Sequence, residues 1–179
     1  MERSRHLLNQ LLDLTRQQAT VASLHPVDLA PVALTVIEEI MPIAEAKNID
    51  LGLSQEATVR IDADKSAIQL MLRNAVDNAL RYTPNGGEVT VRIGCENGDA
   101  ILQVIDNGPG IPEEALERVF DPFYRLPNNT QMGSGLGLAI AKSIADQFHG
   151  SVSLKNRTDG TGLIFSYRQR QSQNNPNGN

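Results

Sequence analysis

The sequence predicts an α+β fold, a two-layer sandwich in which a mixed, mostly antiparallel sheet is covered by helices on one face. Three observations lead there. Helical and strand-like segments interleave, yet several strands are neighbours in sequence, unlike a strictly alternating parallel fold. Two turn signals, Asn97-Gly98 within "CENGD" and Thr158-Asp159-Gly160, each join a pair of strand-like runs as a hairpin. Finally, apolar residues in "QLMLRNAVDNALRYTP" recur at helical spacing, giving a face that must be buried against another layer.

Taken in order, "RHLLNQLLDLTRQQA" sets Leu7, Leu8, Leu11, Leu12 and Leu14 along one side of a helix. Such a stripe needs a partner, either the body of the domain or another chain. His25-Pro26 breaks the pattern. A second helix is predicted from near Pro31 to about Lys47, with Pro42 predicting a kink or an early end. "IDLGLS" and "TVRI" read as two short strands. The long helix follows from about Asp64 to Tyr82, with Asp62 or Asp64 as its acidic start and Thr83-Pro84 as its stop. Its apolar face is assigned to Leu70, Leu72, Ala75, Val76, Ala79 and Leu80.

"EVTVRIG" and "AILQVID" form the first hairpin. A short helix around Glu113 to Val119 and an irregular segment to Met132 come next. A glycine-rich run then leads into the helix "LGLAIAKSIADQF". "SVSLKN" and "GLIFSYR" close the domain as a hairpin, and the polar tail from residue 169 onward is expected to be disordered.

Composition narrows the function. Hydrophobic residues at 40% and charged residues at 21% are ordinary for a soluble globular domain. A net charge of -5 argues against nucleic acid as the main partner, because neutralising phosphates requires clustered Lys and Arg. Cys95 is the only cysteine, which excludes an intrachain disulfide and a cysteine zinc cluster. Its apolar neighbourhood suggests a small structural filler rather than a reactive thiol. No apolar run approaches the roughly 18 residues that cross a bilayer, and no secretory signal opens the chain.

Three segments carry candidate chemistry. Asn74 and Asn78 lie four apart on the long helix, so their amides point the same way one turn apart. They are either solvent-exposed or placed for a ligand, since an amide oxygen is a hard neutral donor suited to Mg2+. In "DNGPGIP", Asp106 ends a strand, and Gly108 and Gly110 allow close approach of a ligand. An ordinary turn with an acid at its start reads the same way. In "GSGLGLAIA", Gly133, Gly135 and Gly137 lead into a helix whose free N–H groups converge on an anion, although simple packing also produces such runs. The run lacks the Gly-Lys-Ser/Thr ending of a Walker A loop and does not follow a strand as a dinucleotide fingerprint does. Between these segments, "FDPFYRLPNNTQM" is a long stretch anchored by Phe120 and Phe123, either a mobile lid or a pinned surface loop.

The order Asn…Asn, DxGxG, FxPF, GxGLGL resembles the nucleotide-binding boxes of bacterial two-component sensor histidine kinases, of the ATPase superfamily that includes DNA gyrase, Hsp90 and MutL. "LRNAVDNALRYTP" is similar to the N box, "DNGPGIP" to the G1 box, "FDPFYR" to the F box and "GSGLGLAIAKSIADQFHG" to the G2 box. The resemblance runs from about Leu7 to Tyr167 and implies ATP and Mg2+ as cofactors, with the segment between G1 and G2 as an ATP lid.

It also implies roles for matching positions. Asn78 is expected to bind Mg2+ bridging the phosphates, with Asn74 beside it and Arg81 and Tyr82 reaching toward them. Of these, Asn74, Asn78 and Arg81 are the expected catalytic residues. Asp106 is expected to accept a hydrogen bond from the adenine amino group, with Gly108, Gly110 and Ile111 shaping the pocket. Phe123, in the lid, is expected to be among the ATP-binding residues, and Gly133, Ser134, Gly135, Leu136, Gly137 and Leu138 are expected to cradle phosphates. One departure stands out: "GTGLIF" places Leu163 where the family usually has threonine, which puts in doubt any polar contact to adenine from this strand.

None of His6, His25 and His149 is followed by the acid and Arg-x-Pro that mark a phosphoacceptor histidine. The resemblance therefore implies that residues 1–24 end a dimerisation segment, residues 25–168 form the catalytic ATP-binding domain, and residues 169–179 are a tail. The parent would be a homodimeric inner-membrane sensor with this portion in the cytoplasm. Its partners would be a dimerisation domain bearing the acceptor histidine and a response regulator, without nucleic acid. The expected activity is transfer of the ATP γ-phosphoryl group to that histidine. Alternatives are a serine-protein kinase of the anti-sigma-factor type or a non-catalytic nucleotide-binding regulatory module. Hydrolysing relatives place a glutamate general base where this chain has Asn74, which disfavours hydrolysis.

Overall fold

The computed structural model describes residues 24–126 and 134–173. The leucine stripe at residues 7–14, His6 and Gly133 lie outside the described residues, as do parts of the lid segment and of the tail.

In chain order the elements are β1 (His25–Asp28), α1 (Leu29–Ala46), β2 (Asp50–Gln55), β3 (Arg60–Ala63) and α2 (Lys65–Tyr82), then β4 (Glu88–Glu96) and β5 (Asp99–Asp106). Two short 3-10 turns follow at Glu113–Ala115 and Arg118–Phe120, then α3 (Gly137–Gln147), β6 (Ser151–Asn156) and β7 (Leu163–Arg170). The main sheet has the order β2-β4-β5-β7-β6, parallel between β2 and β4 and antiparallel elsewhere. The two-layer α+β arrangement is thus as the sequence predicts.

Several details differ from the sequence reading. His25-Pro26 is part of a strand, β1, which pairs antiparallel with β3, so "TVRI" contributes to a separate two-stranded sheet. Pro42 does not end α1. The carbonyl that loses its N–H partner belongs to Glu38, and both residues lie on the exposed side of the helix. The single helix expected around Glu113 is two 3-10 turns. The last strand continues past the expected boundary at residue 168 through Arg170, because Gln169 still faces inward and is buried. Gln169 accepts a hydrogen bond from the Tyr167 hydroxyl and donates to the carbonyl of Asp62 at 3.0 Å, joining the two sheets.

Local sequence explains the ends of the helices. Asp28 and Asp64 cap α1 and α2, accepting N–H bonds from Ala30 at 3.1 Å and Ala67 at 2.8 Å. Lys47 closes the far end of α2, its Nζ donating to the carbonyls of Leu80 (2.6 Å), Thr83 (2.7 Å) and Arg81 (3.3 Å). A cation there meets both the unpaired carbonyls and the negative end of the helix dipole. Asn97 and Gly98 have φ of 52° and 86°, the paired positive values a two-residue hairpin turn requires.

The core lies between helices and sheet. Val91, Val104 and Phe165 align across β4, β5 and β7, as do Ile93, Leu102 and Tyr167, and all six are buried. Beneath the helices they meet Ile68, Met71, Leu72, Val76 and Leu80 of α2 and Ile144 of α3. Leu70 is not part of this face, being 38% exposed. Cys95 is also exposed and accepts a hydrogen bond from the side-chain amide of Gln171, contrary to the expected role of filler.

Candidate functional site

Strand alternation sets the site. Along β5, Ala100, Leu102 and Val104 point toward the helices, and two residues further the same pleat carries Asp106. The strand ends there, so a carboxylate 6% exposed sits in the apolar layer between sheet and helices. Its Oδ1 accepts the N–H groups of Gly108 (2.8 Å) and Leu163 (3.2 Å). Among the described residues no donor engages Oδ2. Burial pushes the Asp106 carboxyl above its ordinary range, opposed by those two N–H bonds and by the charge of Arg157.

The two glycines of this turn serve different needs. Gly110 has φ of 73°, a left-handed conformation. Gly108 is constrained by space, since a Cβ would lie 2.9 Å from Asp106 Oδ1 and 3.3 Å from the Tyr82 carbonyl.

Asp106 borders a cavity of ≈ 350 Å³ whose other walls come from α2, the glycine run and the segment after the 3-10 turns. From α2, Asn74, Asn78, Arg81 and Tyr82 line it. The Asn74 amide nitrogen donates back to the Leu70 carbonyl at 2.9 Å. Its oxygen faces the start of α3, 3.1 Å from where a Cβ on Gly137 would stand. Ser134, Gly135, Gly137 and Leu138 line the cavity at the N-terminal end of α3, where no side chain caps the helix. Gly135 has φ of 71°, and its carbonyl accepts the Phe123 N–H at 2.9 Å.

Of the residues singled out from sequence, Asn74, Asn78, Arg81, Tyr82, Asp106, Gly110, Ile111, Ser134, Gly135, Gly137 and Leu138 therefore meet around one cavity. Gly108, Phe123 and Leu136 do not line it, the first two acting through backbone contacts behind it. Leu163 and Leu154 add apolar wall.

Others were not anticipated. Asp77 lines the cavity and pairs with Arg81 at 2.8 Å, an i,i+4 relation visible in the sequence. Tyr124 lines it with the guanidinium of Arg118 stacked 4.5 Å from its ring centre, and Arg125 is its neighbour in the wall. "FDPFYR" contains both, but only the fold turns them inward.

The donor set suits Mg2+. Among the described residues no three His, Cys, Asp or Glu side chains gather as a metal cluster; Asn74 instead turns its amide oxygen toward the start of α3, and Asn78 lines the same cavity. A hard cation that keeps its waters and shares phosphate ligands needs few protein donors.

Comparison with known proteins agrees with this geometry. Residues 63–172 match the family described as histidine kinase-, DNA gyrase B- and HSP90-like ATPases. The chain belongs to that family, and it is an ATP-binding domain of the sensor histidine kinase type. It is 41% identical over 166 residues to the sensor protein kinase PmrB of Pseudomonas aeruginosa, a match covering 91% of this chain and 35% of that protein. The chain thus spans about a third of that relative's length. Among solved structures, the catalytic domain of histidine kinase ThkA superposes with a TM-score of 0.74 at 27% identity, covering 84% of this chain and 97% of that one. Full-length ShkA in complex with AMPPNP gives 0.75 at 27% identity, covering 93% of this chain and 36% of that one. No helix among the described residues is long and apolar enough to cross a membrane.

Proposed function

We propose that this domain binds ATP with Mg2+ and presents the γ-phosphoryl group to a histidine carried by a dimerisation segment, for relay to a response-regulator aspartate. The observation that supports it is that one cavity has two kinds of lining. The buried Asp106 carboxylate with Ile111, Leu154 and Leu163 supplies the apolar one, and Asn74, Asn78 and Arg81 with the uncapped start of α3 supply the polar one.

Along the apolar lining, Asp106 Oδ2 accepts a hydrogen bond from an exocyclic amine. Its Oδ1 is already committed to Gly108 and Leu163, so the carboxylate cannot rotate away. Along the polar lining, the N–H groups opening α3 and the Arg81 guanidinium meet phosphate oxygens. Asn78, with Asn74 beside it, would hold Mg2+, which offsets phosphate charge when bound. In the transfer a nitrogen–phosphorus bond forms to the imidazole as the β–γ bridging oxygen–phosphorus bond breaks, and ADP departs. The chain's part is positioning and charge stabilisation.

Asn74 cannot take a proton from water, so hydrolysis by the isolated domain is expected to be very slow. Residues 1–24 are read as the end of the dimerisation segment, and the whole protein as a membrane-anchored homodimer. The test joins the chain to a dimerisation segment bearing an acceptor histidine and supplies γ-labelled ATP. Label should reach the histidine, and Asn78→Ala or Asp106→Ala should abolish it. Nucleotide binding without transfer would instead favour a regulatory module.

A further inference from the structure

We propose that Asn156, at the end of β6, is a positioning residue for the nucleobase, holding Ile111 in place beside Asp106. This rests on the nucleotide reading above. Asn156 does not line the cavity, whereas Ile111 does. The Asn156 Oδ1 accepts the Ile111 N–H at 3.0 Å, and its Nδ2 donates to the Ile111 carbonyl at 2.8 Å, across 45 residues of sequence.

That pair of bonds to one residue is what a neighbouring strand exchanges in an antiparallel ladder. Here β5 has already ended at Asp106, so a side-chain amide supplies what the sheet no longer can. The amide's orientation is fixed by chemistry, because Nδ2 also faces the Glu113 carboxylate at 3.3 Å. The fit is close as well. Gly110, at φ 73°, passes the amide so nearly that a Cβ would lie 2.7 Å from Asn156 Oδ1.

The same hairpin holds the other half of the site. Arg157, next in sequence, donates to the Asp106 carbonyl at 3.4 Å, and Leu163 donates to the Asp106 carboxylate at 3.2 Å. Gly162 leaves no room for a Cβ against the Asp106 backbone. Both ends of the β6–β7 connection therefore hold Asp106, and the β6 end also fixes the apolar wall through Asn156, so the spacing between wall and acid is set by this hairpin. A base would meet both.

The test titrates the 179-residue chain with ATP and with adenosine, well below the thermal transition and with folding checked by circular dichroism. Asn156→Ala should weaken both ligands by the same factor, about tenfold, with the Mg2+ dependence of ATP binding unchanged. Asn156→Ser, which can replace one of the two bonds, should lose about threefold, and it serves if the alanine variant fails to fold. Asn156→Asp, which sets a carboxylate against the Ile111 carbonyl and Glu113, should do no better than alanine. Unchanged affinities would overturn the proposal. So would a loss confined to ATP, or one that disappears on cooling in step with thermal stability. A wild-type chain that binds neither ligand would overturn the nucleotide reading and this inference together.

Discussion

Asp106 and Leu163 are bound through a side chain on one strand and a main chain on another: the carboxylate accepts the Leu163 N–H at 3.2 Å. Position 163 carries leucine where the resemblance to the family leads one to expect threonine. The strand's main-chain donor goes to the acid that borders the cavity, while the leucine side chain adds apolar wall. Leu163→Thr is therefore expected to change nucleotide affinity by no more than about threefold, while Leu163→Pro, which removes the N–H, should cost at least about tenfold. Titration calorimetry on the two variants separates side-chain from main-chain dependence.

Asp106 is held above the ordinary carboxylate range mainly by burial. A folded state that raises an acid's pKa binds more protons than the unfolded chain between the two values. The contribution from this group is therefore full below the unfolded value and is lost as pH rises through the folded one. Asp106→Asn keeps the oxygen that accepts from Gly108 and Leu163 and removes the charge. Its melting temperature near neutral pH should rise by a few degrees, and its stability should lose the wild type's decline above the ordinary carboxylate range. Nucleotide binding should fail in the same variant, because an amide N–H would face the base amine. Thermal melts across pH, paired with titrations, read both.

The Asp77–Arg81 ion pair at 2.8 Å is partly open to solvent. Such pairs contribute roughly 0–1 kcal/mol to stability, so neither Arg81→Ala nor Asp77→Asn should shift the melting temperature much. Arg81→Ala should weaken ATP by about tenfold or more while sparing adenosine. Equal losses for both ligands would place Arg81 away from the phosphates.

Lys47 joins α1 to the end of α2 through three carbonyls. Lys47→Met keeps the aliphatic stem and removes every donor, and it should cost about 1–3 kcal/mol. Because Arg81 and Tyr82 stand in that last turn, ATP affinity should fall along with stability. Chemical denaturation and titration of the same variant measure the two effects.

Local chemistry explains which features the sequence disclosed. Asn97-Gly98 announces its hairpin because few other residue pairs accept two positive φ values. Asn74 with Asn78, Asp106 with its glycines, and the glycine run each also have an ordinary reading, and only their order along the chain points to a nucleotide site. β1 was not: a four-residue strand containing Pro26 has no alternation to read and exists through its pairing with β3. Leu70 fits helical periodicity yet is exposed, since periodicity gives a face without its width. Leu154 and Asn156 reach the site region only through tertiary packing, with nothing in their local sequence to mark them, and Tyr124 lies in "FDPFYR" but is turned inward only by the fold.

Cys95 pairs with Ala100 at the opposite end of β5 from Asp106, six strand residues or about 20 Å away. It is exposed and is the only cysteine in the chain. A maleimide fluorophore or spin label would attach at that one position without entering the cavity. The domain thus already carries a single-site spectroscopic handle, and distances from it to a docked partner can be measured without engineering a cysteine.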